Sequence, residues 1–323
     1  MRDTLILAIP SKGRLKEQVE AWLADCGLSL SADGGPRGYT GALDGFGGVH
    51  IRLASAADIA SALALGEIHL GVTGEDLLGE TEPPREKTLI TLRALGFGRA
   101  DLAVAAPRSW IDVATMGDID DLAHLSMARS GRRLRVATKY LRQTRAFFAL
   151  HGIADYRAVE SSGATEGAPA AGLAEIVVDI TTTGATLAAN GLKVLDDGLI
   201  LESQAQLAAS LGAKWTEGGL ATARRLLSIV EARARGRQSA SLIWPAEQDG
   251  RARAAALPFA IPDAALRTNG MLAPNESLFA LAQALNGAGV GPVSVTHPTY
   301  VFEATSEAAD RLEAAIRASD AET

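Results

Sequence analysis

The sequence predicts an α/β protein built as two lobes and followed by a smaller C-terminal domain. Short apolar runs alternate with stretches of helical spacing from Leu5 to Val72, a pattern that gives a mostly parallel sheet covered by helices. The alternation restarts at Arg135, so a second lobe is expected, entered near Ala106 and left near Asn190. A helix beginning near Thr216 ends in Glu231-Ala-Arg-Ala-Arg-Gly-Arg, and a further short series of strands and helices follows it.

Leu5 to Ile9 reads as a strand, closed by Pro10-Ser11-Lys12-Gly13-Arg14, and from Leu15 the residues Val19, Trp22 and Leu23 follow helical spacing. The glycine-rich segment from Gly34 to Gly48 suits a turn between short strands. Its spacing is no dinucleotide fingerprint, because no helix follows. Val49 to Leu53 reads as strand, Ala56 to Leu65 as helix stopped by Gly66, and Ile68 to Val72 as strand running into Thr73-Gly74-Glu75-Asp76. Strands at Leu89 to Leu95 and Asp101 to Ala105 flank Gly96-Phe97-Gly98. The second lobe takes Arg135 to Ala137 as strand, Thr138 to Leu150 as helix, Ala158 to Glu160 as strand, Gly167 to Gly172 as a helical turn and Ile176 to Ile180 as a buried strand. The chain returns to the first lobe through Lys193 to Glu202. Two crossings imply a cleft between the lobes, the usual place for a ligand. Arg233, Arg235 and Arg237 at a helix C-terminus complement the helix dipole and read as a solvated helix end. Beyond them come a strand at Ser241 to Trp244, a helix at Ala246 to Leu257, a weak strand at Leu266 to Leu272, a helix at Glu276 to Leu285, a strand at Val293 to Thr296 and a last helix from Ser306 to Ala318.

Composition bounds the function. The 323 residues are 47% hydrophobic and 21% charged, which is globular, and the formal net charge of −7 argues against a general polyanion binder such as a nucleic-acid protein. The single cysteine, Cys26, fits a core position in a reducing cytoplasm. Leu5 to Pro10 is too brief for a secretory signal, and no apolar run approaches a membrane span, so a soluble cytoplasmic protein is expected. The five histidines have no metal-ligand spacing, and neither a Walker motif nor a nucleophile elbow is present.

Three strand ends carry candidate chemistry. The run Ile176 to Ile180 delivers Asp179 and then Thr181-Thr182-Thr183-Gly184-Ala185-Thr186 at the carboxyl end of a strand, where open α/β folds bind ligands. Backbone N–H groups and hydroxyls there can surround a phosphate, Gly184 admitting its oxygens, while Asp179 accepts from a ribose diol. The same residues can equally cap a helix. Ser11-Lys12-Gly13-Arg14 places two cations around a glycine at a strand-to-helix turn, suited to phosphate or pyrophosphate, although such side chains are commonly solvated. Asp76 can orient a polar ligand or serve as an N-cap.

Ile9 to Leu15, Leu70-Gly71-Val72-Thr73-Gly74-Glu75-Asp76, and above all Gly163-Ala164-Thr165-Glu166-Gly167-Ala168-Pro169 through Asp179 to Leu192 resemble the ATP phosphoribosyltransferase family of histidine biosynthesis. The resemblance covers roughly residues 4 to 225. It implies a catalytic unit similar to periplasmic binding proteins that uses ATP, phosphoribosyl pyrophosphate and Mg²⁺, with adenine N1 attacking the anomeric carbon and displacing pyrophosphate. Carried over, Glu166 and Asp179 hold the ribose hydroxyls, Thr181 to Thr186 the 5-phosphate, and Lys12 and Arg14 the pyrophosphate or ATP phosphates, with Ser11, Gly13 and Asp76 lining the site. Residues 1–105 and 191–236 form catalytic lobe I, 106–190 catalytic lobe II, and 237–323 a regulatory-like domain. That domain is similar to the βαββαβ, ferredoxin-like unit of the long-form enzymes, with a weak second strand and an added helix after Glu303 as departures. Histidine inhibition and a homo-oligomer between dimer and hexamer are further implications. A non-catalytic two-lobed sensor of a small molecule is the alternative that the fold alone permits.

Overall fold

The computed structural model describes residues 4–33, 40–161, 163–259 and 266–321. Its first elements are β1 (Leu5–Pro10), α1 (Gly13–Asp25), β2 (Leu30–Asp33), β3 (Thr40–Leu43), β4 (Phe46–Ala54), α2 (Ala56–Ala64), β5 (Leu70–Gly74), α3 (Glu75–Leu78), α4 (Arg85–Thr88) and β6 (Leu89–Ala94). There follow β7 (Ala100–Pro107), α5 (Met116–Ser130), β8 (Leu134–Thr138), α6 (Leu141–Leu150), β9 (Tyr156–Glu160), β10 (Ile176–Thr181), α7 (Ala185–Ala189), β11 (Leu192–Ser203) and β12 (Ala205–Ser210). The chain continues with α8 (Glu217–Gln238), β13 (Ser239–Ile243), α9 (Asp249–Ala256), β14 (Leu266–Arg267), β15 (Gly270–Pro274), α10 (Leu278–Gly287), β16 (Ser294–Thr296) and α11 (Glu307–Ala321). Part of the expected glycine-rich turn, residues 34–39, lies outside the described residues.

Contacts divide the chain into two units, the first comprising Met1–Ala24, Leu28–Gly219 and Arg311–Thr323. It holds two sheets, ordered β2-β3-β4-β1-β5-β12-β6 and β11-β7-β10-β8-β9. In the first sheet β1 runs parallel to β4 and β5, as strand-helix alternation requires, and β12 joins antiparallel. Ile59 and Leu63 of α2 pack on Ala8, Ile68 and Leu78 in one buried cluster. Ser55 caps α2 through the Asp58 N–H, and Gly66 leaves the helix at φ 75°, a conformation that only glycine adopts without strain.

In the second sheet β8 lies parallel between β10 and β9, while β7 and β11 close the opposite edge antiparallel. Both β7 and β11 belong to this sheet, so the chain enters the second lobe between β6 and β7 and leaves it between β11 and β12. The sequence pattern instead reads β6 and β7 as neighbours across Gly96-Phe97-Gly98 and takes Lys193 to Glu202 as part of the return. The difference arises from β7 itself: Leu102 to Ala106 are all fully buried between β10 and β11. The two crossings run side by side. Leu95 N–H donates to Ala205 O and Ala205 N–H to Phe97 O, each at 2.9 Å, and Gly96 N–H donates to Gln204 Oε1 at 3.0 Å.

Helix α5 has no counterpart in the sequence reading. Its signal is a capping box, Thr115 with Asp118, and a left-handed stop at Gly131, around only three buried positions, Met116, Ile119 and Ala123. Thr138, expected to open a helix, is the last residue of β8, and α6 starts at Leu141.

The second unit comprises Asp25–Gly27 and Leu220–Asp310. Its sheet, ordered β14-β15-β13-β16, is the split arrangement of a ferredoxin-like βαββαβ unit, with Leu281 and Leu285 of α10 and Ala252 and Ala256 of α9 in its core. The single weak strand expected at Leu266 to Leu272 is instead a hairpin, the two-residue β14 turning back into β15. Of the arginines at the end of α8, Arg233 and Arg235 are partly buried rather than solvated, and Arg237 stays exposed while pairing with Asp25. Arg233 grips Asp25 through two hydrogen bonds of 2.9 and 2.7 Å, Arg237 reaches the same carboxylate at 2.7 Å, and Arg235 donates to Val301 O. The Arg233 hydrogen bond holds the Asp25 carboxyl below its ordinary value.

Candidate active site

The carboxyl ends of β5, β8 and β10 and the end of β11 bring the candidate residues together within the first unit. Asp76, at the second position of α3, is buried. Its carboxylate accepts the Tyr140 hydroxyl at 2.7 Å and the Ser203 hydroxyl at 2.8 Å, while its own N–H donates back to Ser203 Oγ at 3.1 Å. Gly74 precedes it because a Cβ there would collide with this carboxylate. The N-cap of α3 is Gly74, so the capping alternative for Asp76 does not hold; its oxygens tie the two lobes. Burial raises the Tyr140 hydroxyl far above its ordinary value, and Asp76 adds to the effect, so Tyr140 is a proton donor in this pair.

Asp179 stands near the end of β10, half-buried, with one oxygen accepting Ile180 N–H at 2.8 Å. Desolvation raises its pKa; that backbone hydrogen bond and the Lys139 ammonium oppose the rise, and the charges of Glu166 and Asp76 add to it. The four side chains thus share one electrostatic neighbourhood. Glu166 lies on a single 3₁₀ turn, Thr165–Gly167, entered through Ala164 at φ 49°. A non-glycine residue held there stores strain of order 1 kcal/mol, a common mark of a functional loop.

The threonine turn is shaped by its own hydroxyls. Thr181 Oγ1 accepts Gly184 N–H at 2.8 Å, Thr183 Oγ1 lies 3.4 Å from Ala185 N, and Gly184 sits at φ 73°. Part of the cap reading is therefore correct: the hydroxyls of Thr181 and Thr183 occupy the first N–H groups of the turn, while Asp179 caps nothing. Thr182, Thr183, Ala185 and Thr186 are exposed. Arg14, Gly98, Arg99 and Thr182 line one cleft of about 410 Å³, which brings the β1 turn and the β10 turn to a common space. Arg99, Asp101, Thr181, Thr182, Glu202 and Ser203 line another of about 390 Å³. Lys12 and Gly13 are exposed on the β1 turn, Gly13 at φ 76°, and Ser11 N–H is spent on Ala54 O.

Sequence reasoning missed Lys139, Tyr140, Ser203 and Arg99. The first two follow directly on β8, so extending the strand-end rule to Thr138 would have found them.

The family model for ATP phosphoribosyltransferase matches residues 55–231. The chain belongs to that family. It is 60% identical over 317 residues to the ATP phosphoribosyltransferase of Caulobacter vibrioides, an alignment covering 98% of this chain and 99% of that protein. It is 48% identical over 332 residues to the ATP phosphoribosyltransferase of a Bradyrhizobium species, covering 98% and 100%. Among solved structures, the ATP phosphoribosyl transferase (HisG:HisZ) complex of Thermotoga maritima aligns at 26% identity, covering 64% of this chain and 87% of that one, with a TM-score of 0.49. ATP phosphoribosyltransferases carry out the first step of histidine biosynthesis, and this chain is a transferase of that class. Among the described residues, no helix is long and apolar enough to cross a membrane.

Proposed function

We propose that this transferase joins the phosphoribosyl group of phosphoribosyl pyrophosphate to N1 of ATP, releasing pyrophosphate, with the sugar held at the end of β10. One observation carries the assignment of residues: Asp179 keeps a half-buried, desolvated carboxylate with no arginine partner among the described residues, beside Glu166 and shortly before the hydroxyl turn Thr181 to Thr186. A ribose diol supplies the two donors such carboxylates lack, and the turn takes the 5-phosphate through the exposed hydroxyl-bearing residues Thr182, Thr183 and Thr186.

In the reaction the adenine N1 lone pair forms the new bond to the anomeric carbon as the bond to pyrophosphate breaks and that oxygen keeps the electron pair. Charge builds on the leaving group while the sugar becomes cation-like, so positioning and electrostatics dominate over proton transfer. Arg14, which shares a cleft with Thr182, and Lys12 on the same turn neutralise the polyphosphates. Carboxylates at Glu166 and Asp179 stabilise the electron-poor sugar. When bound, Mg²⁺ would supply counter-charge to the substrate phosphates, the usual mode for this ion. Among the described residues, no group of three or more His, Cys, Asp or Glu is placed to hold a metal.

The ferredoxin-like unit and α8 support a regulatory reading of the C-terminal region expected at 237–323, except that residues 311–323 group with the first unit; histidine is the effector in this reading, and oligomer formation belongs to it. The deciding experiment mixes the purified protein with ATP, Mg²⁺ and phosphoribosyl pyrophosphate. Pyrophosphate release with formation of N1-(5-phosphoribosyl)-ATP is expected; ligand binding without release, in the presence of any partner subunit, would support the sensor instead.

A further inference from the structure

The first amides of α6 belong to the second lobe, yet a residue of the first lobe satisfies them. Glu80, two residues after α3, accepts Arg142 N–H at 2.9 Å on one carboxylate oxygen and Gln143 N–H at 2.8 Å on the other. These are the second and third residues of the helix, donors that every helix start leaves without an intrahelical partner. Tyr140 occupies the N-cap position and provides no side-chain cap. A carboxylate supplied across the lobes does so instead, and its charge complements the positive end of the helix. The contact is reinforced on both sides. Gln143 Nε2 donates to Asp76 O at 2.8 Å and to Glu80 Oε1 at 3.2 Å, and Arg142 donates to Glu86 at 3.1 Å. Gly79 leaves the room for this: a Cβ there would lie 2.8 Å from Gln143 Cδ.

Immediately before α6 come Lys139 and Tyr140, the residues that act on Asp179 and Asp76. We propose that Glu80 is a positioning residue: by capping α6 across the lobes it sets where Lys139 and Tyr140 stand, and so fixes the span between the Asp76 wall and the Asp179 wall of the cleft. The proposal rests on the reading of that cleft as the site of phosphoribosyl transfer. A reaction that joins two substrates held from opposite walls is sensitive to misplacement of about 1 Å, which can lower rate about 100-fold. The binding of ribose 5-phosphate, which lacks the pyrophosphate and meets the Asp179 wall alone, is not.

Two full-length variants test it. Glu80→Gln keeps the reach and turns one acceptor into a donor that faces an N–H. Gly79→Ala leaves every charged group in place and pushes a methyl against Gln143, at a backbone φ of −68° that alanine accepts. Hydrogen exchange over residues 139–147, kcat from pyrophosphate release and the Kd for ribose 5-phosphate by calorimetry are measured on each. Exchange at Arg142 and Gln143 at least tenfold faster, kcat at least tenfold lower and Kd within twofold are expected in both. Unchanged exchange, or faster exchange with unchanged kcat, overturns the proposal. So does a parallel fall of kcat and affinity, which marks general loss of structure. Should the unmodified enzyme release no pyrophosphate, the functional reading fails by itself, and exchange alone then judges the cap.

Discussion

Two carboxylates at opposite ends of one strand have opposite electrostatic fates. Glu175, just before β10, accepts the Arg135 guanidinium at 2.6 and 3.1 Å and its backbone N–H at 2.6 Å. Burial alone would raise its carboxyl; the Arg135 hydrogen bonds outweigh burial and hold it below the ordinary value. Asp179, four residues later, is desolvated too and more deeply, and the lowering contributions do not overcome it. A carboxylate with its own arginine is finished as a structural element. One left short of partners, at the strand end where open α/β folds bind ligands, costs stability and is explained by what it awaits.

Replacing Asp179 by Asn breaks the contrast most severely. Loss of about 100-fold in kcat/KM for phosphoribosyl pyrophosphate is expected, together with a higher melting temperature near neutral pH. The sign follows from linkage: the folded carboxyl has a pKa above its ordinary 3.8, so the native state binds more protons than the unfolded chain and loses stability as pH rises through that window. Asn removes this slope. A variant with wild-type kcat/KM would remove Asp179 from the site.

Replacing Glu175 by Gln acts on the other end. Stability falls by about 1 kcal/mol, a modest figure because the pair is partly exposed, and kcat/KM stays within twofold. With its folded pKa depressed, Glu175 contributes stability above its ordinary 4.5 and loses it as pH falls through the folded value, so denaturant midpoints of wild type and variant converge in acid. A large kinetic effect with normal stability would undo the division of roles. The smallest effect belongs to Ala164→Gly. Removing the Cβ from a residue at φ 49° relieves strain, and a gain of up to about 1 kcal/mol in unfolding free energy by denaturant titration is expected, offset in part by the freer unfolded chain.

Most strands and the α/β class are legible because buried parallel strands write themselves as continuous apolar runs, as Leu5 to Ile9 and Ile176 to Val178 do. Helix α5 is not, since its capping acid is Asp rather than the Glu of the usual box and its apolar positions are sparse. The cleft is half legible. Asp179 and the threonine turn sit at a strand end with distinctive chemistry, whereas Ser203 and Glu80 join the site through contacts 127 and 62 residues away along the chain, which no local pattern announces.

The paired crossings between the lobes set what motion the first unit has. Two free bodies have about six relative degrees of freedom, and one flexible tether removes few of them. Here two short backbone segments, hydrogen-bonded to one another at Leu95, Phe97 and Ala205, act as the spine of a book. Sliding or separation would tear that spine, and rotation about it would break the Tyr140–Asp76 hydrogen bond and the Glu80 bonds to α6, so the spine and these cross-lobe contacts together hold the two walls at one spacing.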